Sequence, residues 1–281
     1  MENSLGITLN DIQSAVAGVL RMSLWKRMMG RRAEPLSEPS LKTRARPRRV
    51  RDADDITDIA AEEAFDGALT ESIRARWTYW IEQGDLAPDL ISPQVNPIYK
   101  NVPAWPSDRL AFLTLERPES TILATDGLSD PFDDLNKGNQ GFGVEYFIDI
   151  AERPLSDFSR NIAVEILMTV AYNTVARGGV EDLLDDFGLV SMEIPESDLP
   201  ATHLTNDGNA CVLMGGPKAD LETLYVDGPM GDIELISLTL LTGRETELIR
   251  RKGANARADI AQSLLEAGIG HKTVIGRPSI I

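Results

Sequence analysis

The spacing of apolar residues divides the chain into helical segments and strand segments. Between residues 56 and 83, Leu69, Ile73 and Trp80 recur at helical steps, which predicts a long amphipathic helix that ends at Gly84. The same kind of spacing predicts three further helices, over residues 8–29, 156–176 and 245–267. The helical part of the sequence is therefore spread along the whole chain.

Strand signals lie between these helices. They cover residues 110–115, 121–126, 142–150, 187–194, 210–214, 221–226 and 232–241. The clearest is 142–150, where Phe142, Val144 and Tyr146 alternate with smaller or charged residues. The strands form two runs separated by a helix, which favours an α+β fold, a mixed and largely antiparallel sheet packed with helices, over a doubly wound sheet.

Three regions interrupt or end these elements. Five prolines within residues 86–108 predict a long loop, because proline fixes φ and lacks an amide donor. Gly253 predicts a break in the C-terminal helical segment. We expect the tail from His271 onward to be unanchored.

Charge is distributed unevenly along the chain. Residues 21–51 hold 11 of the 28 lysines and arginines but only two acidic residues, Glu34 and Glu38. Residues 52–281 hold 17 basic and 40 acidic residues, a formal net charge of −23. We therefore predict an N-terminal amphipathic helix with a basic linker over residues 1–54, followed by a globular domain over 55–281.

This charge distribution limits the partners. Affinity for nucleic acid comes chiefly from Lys and Arg, so we expect no nucleic acid to bind through the acidic domain. A basic protein suits that domain better. Residues 21–51 are compatible with weak contact to an anionic surface, but for the helix over 8–29 we favour packing on its own domain or on a partner helix.

Few reactive side chains are present. The single cysteine, Cys211, excludes an internal disulfide and a thiolate metal cage, and its apolar strand predicts a buried, inert thiol. The two histidines, His203 and His271, are too few for a histidine-rich metal site, and we expect His203 to lie in a loop and to make only a local hydrogen bond. No nucleophile elbow, phosphate-binding loop or dinucleotide fingerprint occurs, so no cofactor is predicted.

The expected location is the reducing cytoplasm. One cysteine is typical of an intracellular protein, and no apolar run approaches the length that spans a bilayer. The arginines near the N-terminus follow the apolar stretch rather than precede it, which is the reverse of a secretory signal.

Acidic residues near the predicted strand ends are the main candidate for chemistry. They are Asp126, Asp130, Asp133, Asp134 and Glu145. Such carboxylates can hold a hard cation or work as an acid–base pair, although their spacing matches no calcium loop. They can also form a solvated face that receives a basic partner, which an acidic domain favours. If Glu145 is internal, we expect it to bond to a backbone amide or to an arginine such as Arg244.

Three stretches together resemble the suppressor-of-fused domain family. The first is Thr121-Ile-Leu-Ala-Thr-Asp-Gly-Leu-Ser-Asp-Pro131 and the second is Gly141-Phe-Gly-Val-Glu145. The third is Ile236-Ser-Leu-Thr-Leu-Leu-Thr-Gly-Arg-Glu245, which precedes Gly253 and a helix. The resemblance covers about residues 60–270, and the first 54 residues lie outside it.

The resemblance implies a noncatalytic α+β domain that binds other proteins. Bacterial members of the family are often immunity proteins that neutralise polymorphic toxins, whereas animal members clasp a peptide and carry a further large domain. This chain is similar to the shorter bacterial kind. We therefore expect an immunity protein that binds a basic toxin domain stoichiometrically through the five acidic residues. The alternative is a carboxylate- or metal-dependent hydrolase that uses Asp126, Asp130 and Glu145.

Overall fold

The computed structural model describes residues 53–92, 105–106, 109–132, 140–195, 198–216, 221 and 224–281, with side chains from residue 63 onward. The helix predicted over 8–29 and the basic linker lie outside the described residues. Both therefore stay predictions, as does the domain boundary at residue 54.

Helices and strands alternate irregularly along the described residues. The helices are α1 (Ala53–Gln83), α2 (Asp157–Arg177), α3 (Val180–Phe187), α4 (Gly243–Lys252) and α5 (Ala254–Glu266). The strands are β1 (Asp85–Leu86), β2 (Ala111–Glu116), β3 (Thr121–Asp126), β4 (Val144–Ile150), β5 (Val190–Ile194), β6 (Ala210–Met214), β7 (Tyr225–Gly228) and β8 (Gly231–Leu240). A turn of 3-10 helix covers Ala201–His203.

All eight of these strands belong to one mixed sheet. Its order is β1-β2-β3-β4-β8-β6-β5, and β7 pairs with β8 beside this path. The pairing of β4 with β8 is parallel, with Val144 opposite Glu234, and the other strand pairs are antiparallel. The predicted α+β class with a largely antiparallel sheet is therefore confirmed.

Helices cover both faces of the sheet. All residues of β4 are buried, and they alternate between the two sides. Tyr146 belongs to an apolar cluster with Ile166 of α2, whereas Phe147 packs in a second cluster with Trp80 of α1. A third cluster joins α4 and α5 to β6 through residues such as Leu213. Neither face of the central strands meets water, so their polar residues, such as Asp126 and Glu145, are buried together with the apolar ones.

Most predicted elements are confirmed within a few residues. The helices over 56–83 and 156–176 correspond to α1 and α2, and the segments 121–126 and 210–214 match β3 and β6. Gly253 separates α4 from α5, as predicted. In the described part of the chain, no helix combines the length and the apolar character needed to cross a membrane.

Helix α3 was missed, and the strand predicted from residue 187 begins only at Val190. Val180 and Leu184 are buried four residues apart, and Gly188, at φ +67°, ends the helix. The glycine pair Gly178 and Gly179 lies directly before Val180, and both residues have a positive φ. That pair both ends α2 and starts α3, because glycine readily adopts a positive φ.

The expectation of an unanchored tail is wrong. His271 and Thr273 are buried, and Thr273 forms a parallel bridge with Ile150 at the end of β4. The tail is held by hydrogen bonds and one ion pair. Polar attachment of this kind leaves no periodic pattern of apolar residues, which is why the sequence did not reveal it.

Candidate functional site

Three of the acidic residues singled out in the sequence surround one arginine of α1. Arg76 is fully buried, and its Nε donates to Asp126 Oδ1 at 2.8 Å while its Nη2 donates to Asp130 Oδ1 at 2.6 Å. Its Nη1 donates to the hydroxyls of Ser72 and Ser129, at 2.7 and 2.9 Å. We call this group the Arg76 cluster; it comprises Arg76, Asp126, Asp130 and Glu145 with Ser72, Trp77, Arg109, Thr125 and Ser129.

Glu145 of β4 is held by the loop that follows β3. Its Oε1 accepts from the backbone amides of Gly127 and Ser129, both at 3.0 Å, and from the Ser129 hydroxyl at 2.7 Å. Its Oε2 accepts from the Thr125 hydroxyl at 2.5 Å. Arg76 Nε lies 3.6 Å from Oε1. Each carboxylate oxygen therefore has at least one donor, as a buried charge requires.

Two glycines let this loop close around the carboxylate. Gly127 has φ +145°, and a Cβ there would lie 2.3 Å from the carbonyl oxygen of Arg109. Gly141 has φ +57°, and a Cβ there would lie 2.4 Å from the carbonyl oxygen of Asp130. Neither position accepts a larger residue without rearrangement. The first two motifs of the sequence, 121–131 and 141–145, therefore belong to one buried structure.

The electrostatics of the cluster favour its charged forms. Burial opposes ionisation of Asp126, but Arg109 and Arg76 outweigh burial and hold its pKa below the usual range. Burial likewise opposes the charge of Arg76, but Asp130, Asp126 and Glu145 outweigh it and raise the pKa of the guanidinium. Arg76 and Asp126 therefore form a charged pair enclosed by the protein.

This position corrects the expectation of a solvated acidic face. Asp126, Asp130 and Glu145 are each 0% exposed, because the chain turns inward after β3 to meet Arg76. Asp133 and Asp134 lie outside the described residues. The partner-binding role assigned to these five acidic residues stays a prediction. In this structure, however, Asp126, Asp130 and Glu145 are not accessible to a partner.

The prediction for the partner of Glu145 is half confirmed. A backbone amide does bond to it, as expected. The arginine is Arg76 of α1 rather than Arg244, which is exposed on α4. Arg76 was not singled out because it lies 50 residues before Asp126 and looks like any polar residue of an amphipathic helix.

The third motif forms a second buried ion pair. Thr242 and Glu245 make a reciprocal capping box at the start of α4. Arg277 donates to both carboxylate oxygens of Glu245, each at 2.6 Å. Burial opposes ionisation of Glu245, but Arg277 outweighs burial, and the pKa is lowered. The pair attaches the C-terminal segment to the helix start.

The histidines and the cysteine also lie inside the protein. His203 bonds to the backbone of Leu241 and Gly276, which are 38 and 73 residues away, so the expectation of a local hydrogen bond is wrong. His271 Nε2 lies 3.2 Å from Asp149 Oδ2. Cys211 is buried, and burial raises the pKa of its thiol to about 12, which agrees with the predicted inert residue. No group of three or more potential metal ligands is assembled among the described residues.

Exposed acidic residues lie elsewhere, on α3 and on the β7–β8 hairpin. Glu181 and Asp185 of α3 act electrostatically on Tyr225 of β7, and Glu234 of β8 acts on it most strongly. These carboxylates raise the pKa of the Tyr225 hydroxyl, and Tyr225 itself is 57% exposed. Four acidic residues within the eight of α3 were the available signal, but α3 itself was not predicted.

Comparison with known proteins gives similarity in structure only, since neither a family model nor a curated protein matches the chain. The crystal structure of Drosophila Suppressor of Fused is similar over 76% of this chain, with a TM-score of 0.46 and 15% identity. The chain spans about half of that protein, 51% of its length. The crystal structure of the Sufu–Fu complex is similar over 76% of this chain and 92% of that one, with a TM-score of 0.41 and 15% identity. Both structures carry the name of the family that the sequence motifs resemble.

Proposed function

We propose that the chain is a noncatalytic protein-binding domain of the suppressor-of-fused type. We further propose that it is an immunity protein, which neutralises a basic toxin domain by stoichiometric binding in the cytoplasm. The proposal rests on the motif series in the sequence, on the burial of the Arg76 cluster and on the negative charge of the domain.

The Arg76 cluster carries the noncatalytic part of the proposal. A hydrolase that uses Asp126, Asp130 and Glu145 needs at least one of these carboxylates where substrate and water can reach it. In the structure all three are enclosed, and their oxygens accept bonds from Arg76 and from the loop after β3. Their chemistry holds α1 to the sheet, which leaves the enzyme alternative without its acid and base.

Surface charge supports a basic partner. Residues 52–281 have a formal net charge of −23, and exposed carboxylates remain on α3 and on the β7–β8 hairpin. Complementary charge chiefly raises association rates and excludes partners of like charge. A toxin that degrades nucleic acid carries the opposite charge for its own substrate, which makes an acidic inhibitor its natural complement.

Co-expression with the adjacent open reading frame tests this function. The neighbouring product alone should arrest growth, and the full chain should restore growth only when it is present in at least equal amount. The purified pair should form a complex of fixed stoichiometry whose association slows as salt is added. Rescue by a small fraction of an equivalent would indicate turnover and overturn the proposal, as would a neighbouring product that neither arrests growth nor binds.

A charge-reversal pair sharpens the same experiment. D182K/D186K changes two exposed carboxylates on α3, and D259K/E266K changes two exposed carboxylates on α5. If charge on α3 guides the partner, the first variant lowers the association rate constant about tenfold and the second leaves it nearly unchanged. Equal effects of the two variants would indicate that only the net charge matters.

A further inference from the structure

The C-terminal segment crosses the end of the sheet as a strap, which we define as residues 270–281. Thr273 N donates to Asp149 O at 2.7 Å, and Thr273 O accepts from Ala151 N at 3.0 Å. The Thr273 hydroxyl accepts from Leu240 N at 3.0 Å. These bonds fix the first half of the strap to β4 and to the end of β8.

The second half of the strap depends on His203. This ring is fully buried, with Nδ1 2.8 Å from Leu241 O and Nε2 2.8 Å from Gly276 N. A carbonyl oxygen can only accept a hydrogen bond and a backbone amide can only donate one. The ring must therefore carry its proton on Nδ1 and keep a lone pair on Nε2. His203 is a neutral acceptor, and the amide that it accepts from belongs to the strap.

A second proton on this ring is incompatible with the attached strap. It would bind at Nε2 and turn an acceptor into a donor that faces the N–H of Gly276. Arg277 of the strap and Glu245 of α4 are the charged groups that act on the ring. Burial first, and Arg277 second, lower the pKa of His203, while the Leu241 carbonyl and Glu245 only partly oppose them.

We propose that the strap is an acid-released element, and that the lone pair of His203 Nε2 is its latch. When the strap is released, the ring reaches water and its pKa returns to the ordinary value of about 6.5. Falling pH therefore favours the released state, because that state binds the additional proton. From about pH 7.5 to about pH 5, the ratio of released to attached strap should rise about 30-fold for a ring with that pKa when released.

The surroundings allow the end of the strap to move without unfolding the sheet. A cavity of about 240 Å³ borders it, lined by residues that include Leu204, Gly243, Arg244 and the terminal Ile281. Ile281 is 39% exposed, so the end of the strap meets solvent. Release would uncover the apolar cluster on β6, α4 and α5, against which Ile280 packs.

Hydrogen exchange of the full chain tests the proposal. The amides of Gly276 and Thr273 should exchange about 30-fold faster at about pH 5 than at about pH 7.5, after correction for the intrinsic pH dependence of exchange. The amide of Tyr146, which bonds within the core at Thr125, is the internal reference and should show no such acceleration. His203→Gln should abolish the pH dependence, whereas His271→Gln, which removes the other histidine, should leave it.

Nitrogen NMR of the wild-type ring provides a readout that does not depend on a variant folding. At neutral pH the proposal requires a protonated Nδ1 and an unprotonated Nε2 in His203. A proton on Nε2, an exchange rate that does not respond to pH, or a pH response that persists in His203→Gln would each overturn the latch. If only His271→Gln abolished the pH response, the response would belong to His271. That result would also overturn the proposal.

Discussion

Two buried ionic groups join helices to the rest of the fold, one around Arg76 and one between Glu245 and Arg277. In the first, Arg76 contacts three carboxylates that come from a single stretch of the chain, 126–145, and Arg109 bonds to one of them, Asp126. In the second, one guanidinium meets one carboxylate, in a bidentate pair 32 residues apart. Arg76 and Arg277 both bond to carboxylates that are buried away from water.

The difference between them lies in what remains when the arginine is removed. Around Arg76, the carboxylates keep donors such as the amide of Gly127 and the indole of Trp77, and Asp126 keeps Arg109, but Asp130 and Glu145 lose the arginine that they share. At Glu245, a single carboxylate keeps its capping bond to Thr242 N at 2.8 Å. Removal of the arginine should therefore cost more stability at a group of buried carboxylates than at a single carboxylate.

Replacement of Arg76 should have the largest effect on stability. Removing one partner of a buried ion pair commonly costs about 3–5 kcal/mol, and Asp130 and Glu145 both lose Arg76 while Asp126 keeps Arg109, so R76M should lose about 5 kcal/mol. That approaches the whole stability of a typical domain, and we expect R76M to be largely unfolded in circular dichroism.

Arg74 gives a matched control on the same helix. Its ion pair with Glu71 is exposed, so R74M should stay within about 0.5 kcal/mol of the wild type in urea denaturation. If R76M folds as stably as R74M, the Arg76 cluster does not hold α1 to the sheet.

The second pair should give an intermediate effect. E245Q and R277M should each lower the free energy of unfolding by about 3 kcal/mol, because each leaves a buried partner without its counter-ion. The double variant should lose clearly less than the two single variants together, since no unpaired charge remains. Urea denaturation of the four proteins measures the coupling. Additive losses would show that the bidentate pair contributes nothing beyond the separate packing of the two side chains.

The strands and the long helices could be predicted from the sequence because their signals are local. The alternation over 142–150 and the helical spacing of Leu69, Ile73 and Trp80 each indicate a buried face without knowledge of the rest of the chain. Helix α3 was missed because eight residues with two buried apolar positions give too short a pattern. The strap was missed because hydrogen bonds hold most of it, and its two packed apolar residues, Ile275 and Ile280, form no periodic pattern.

The candidate site shows the same limit more clearly. The sequence identified Asp126, Asp130 and Glu145 as a group, and the structure does bring them together. The sequence did not indicate which cation pairs with them, since nothing in the local sequence distinguishes Arg76 from the exposed Arg74. Without the cation, clustered acidic residues resemble a solvated surface. Paired with Arg76, the acidic residues form part of the interior. Whether they lie at the surface or inside therefore depends on a contact between residues 50 positions apart.

Arg250 places the same bidentate chemistry at the surface, where we expect the smallest effect. Its Nε and Nη2 donate to the two carboxylate oxygens of Glu193 at 2.7 and 2.6 Å, and its Nη1 donates to Asp207 at 2.8 Å. These bonds are as short as those of Arg277, yet the side chain of Asp207 is 68% exposed. Water replaces such partners when they are lost, and ordering long side chains opposes the attraction.

We therefore expect R250A to leave the urea midpoint nearly unchanged, with any small loss disappearing as salt is added. R277A is the comparison, because it removes the same kind of bidentate pair from the interior. If R250A destabilises the protein as much as R277A, hydrogen-bond geometry rather than loss of water determines the value of these pairs, and the contrast between the buried groups and the surface would fail. A shift for R277A alone would establish burial as the cause.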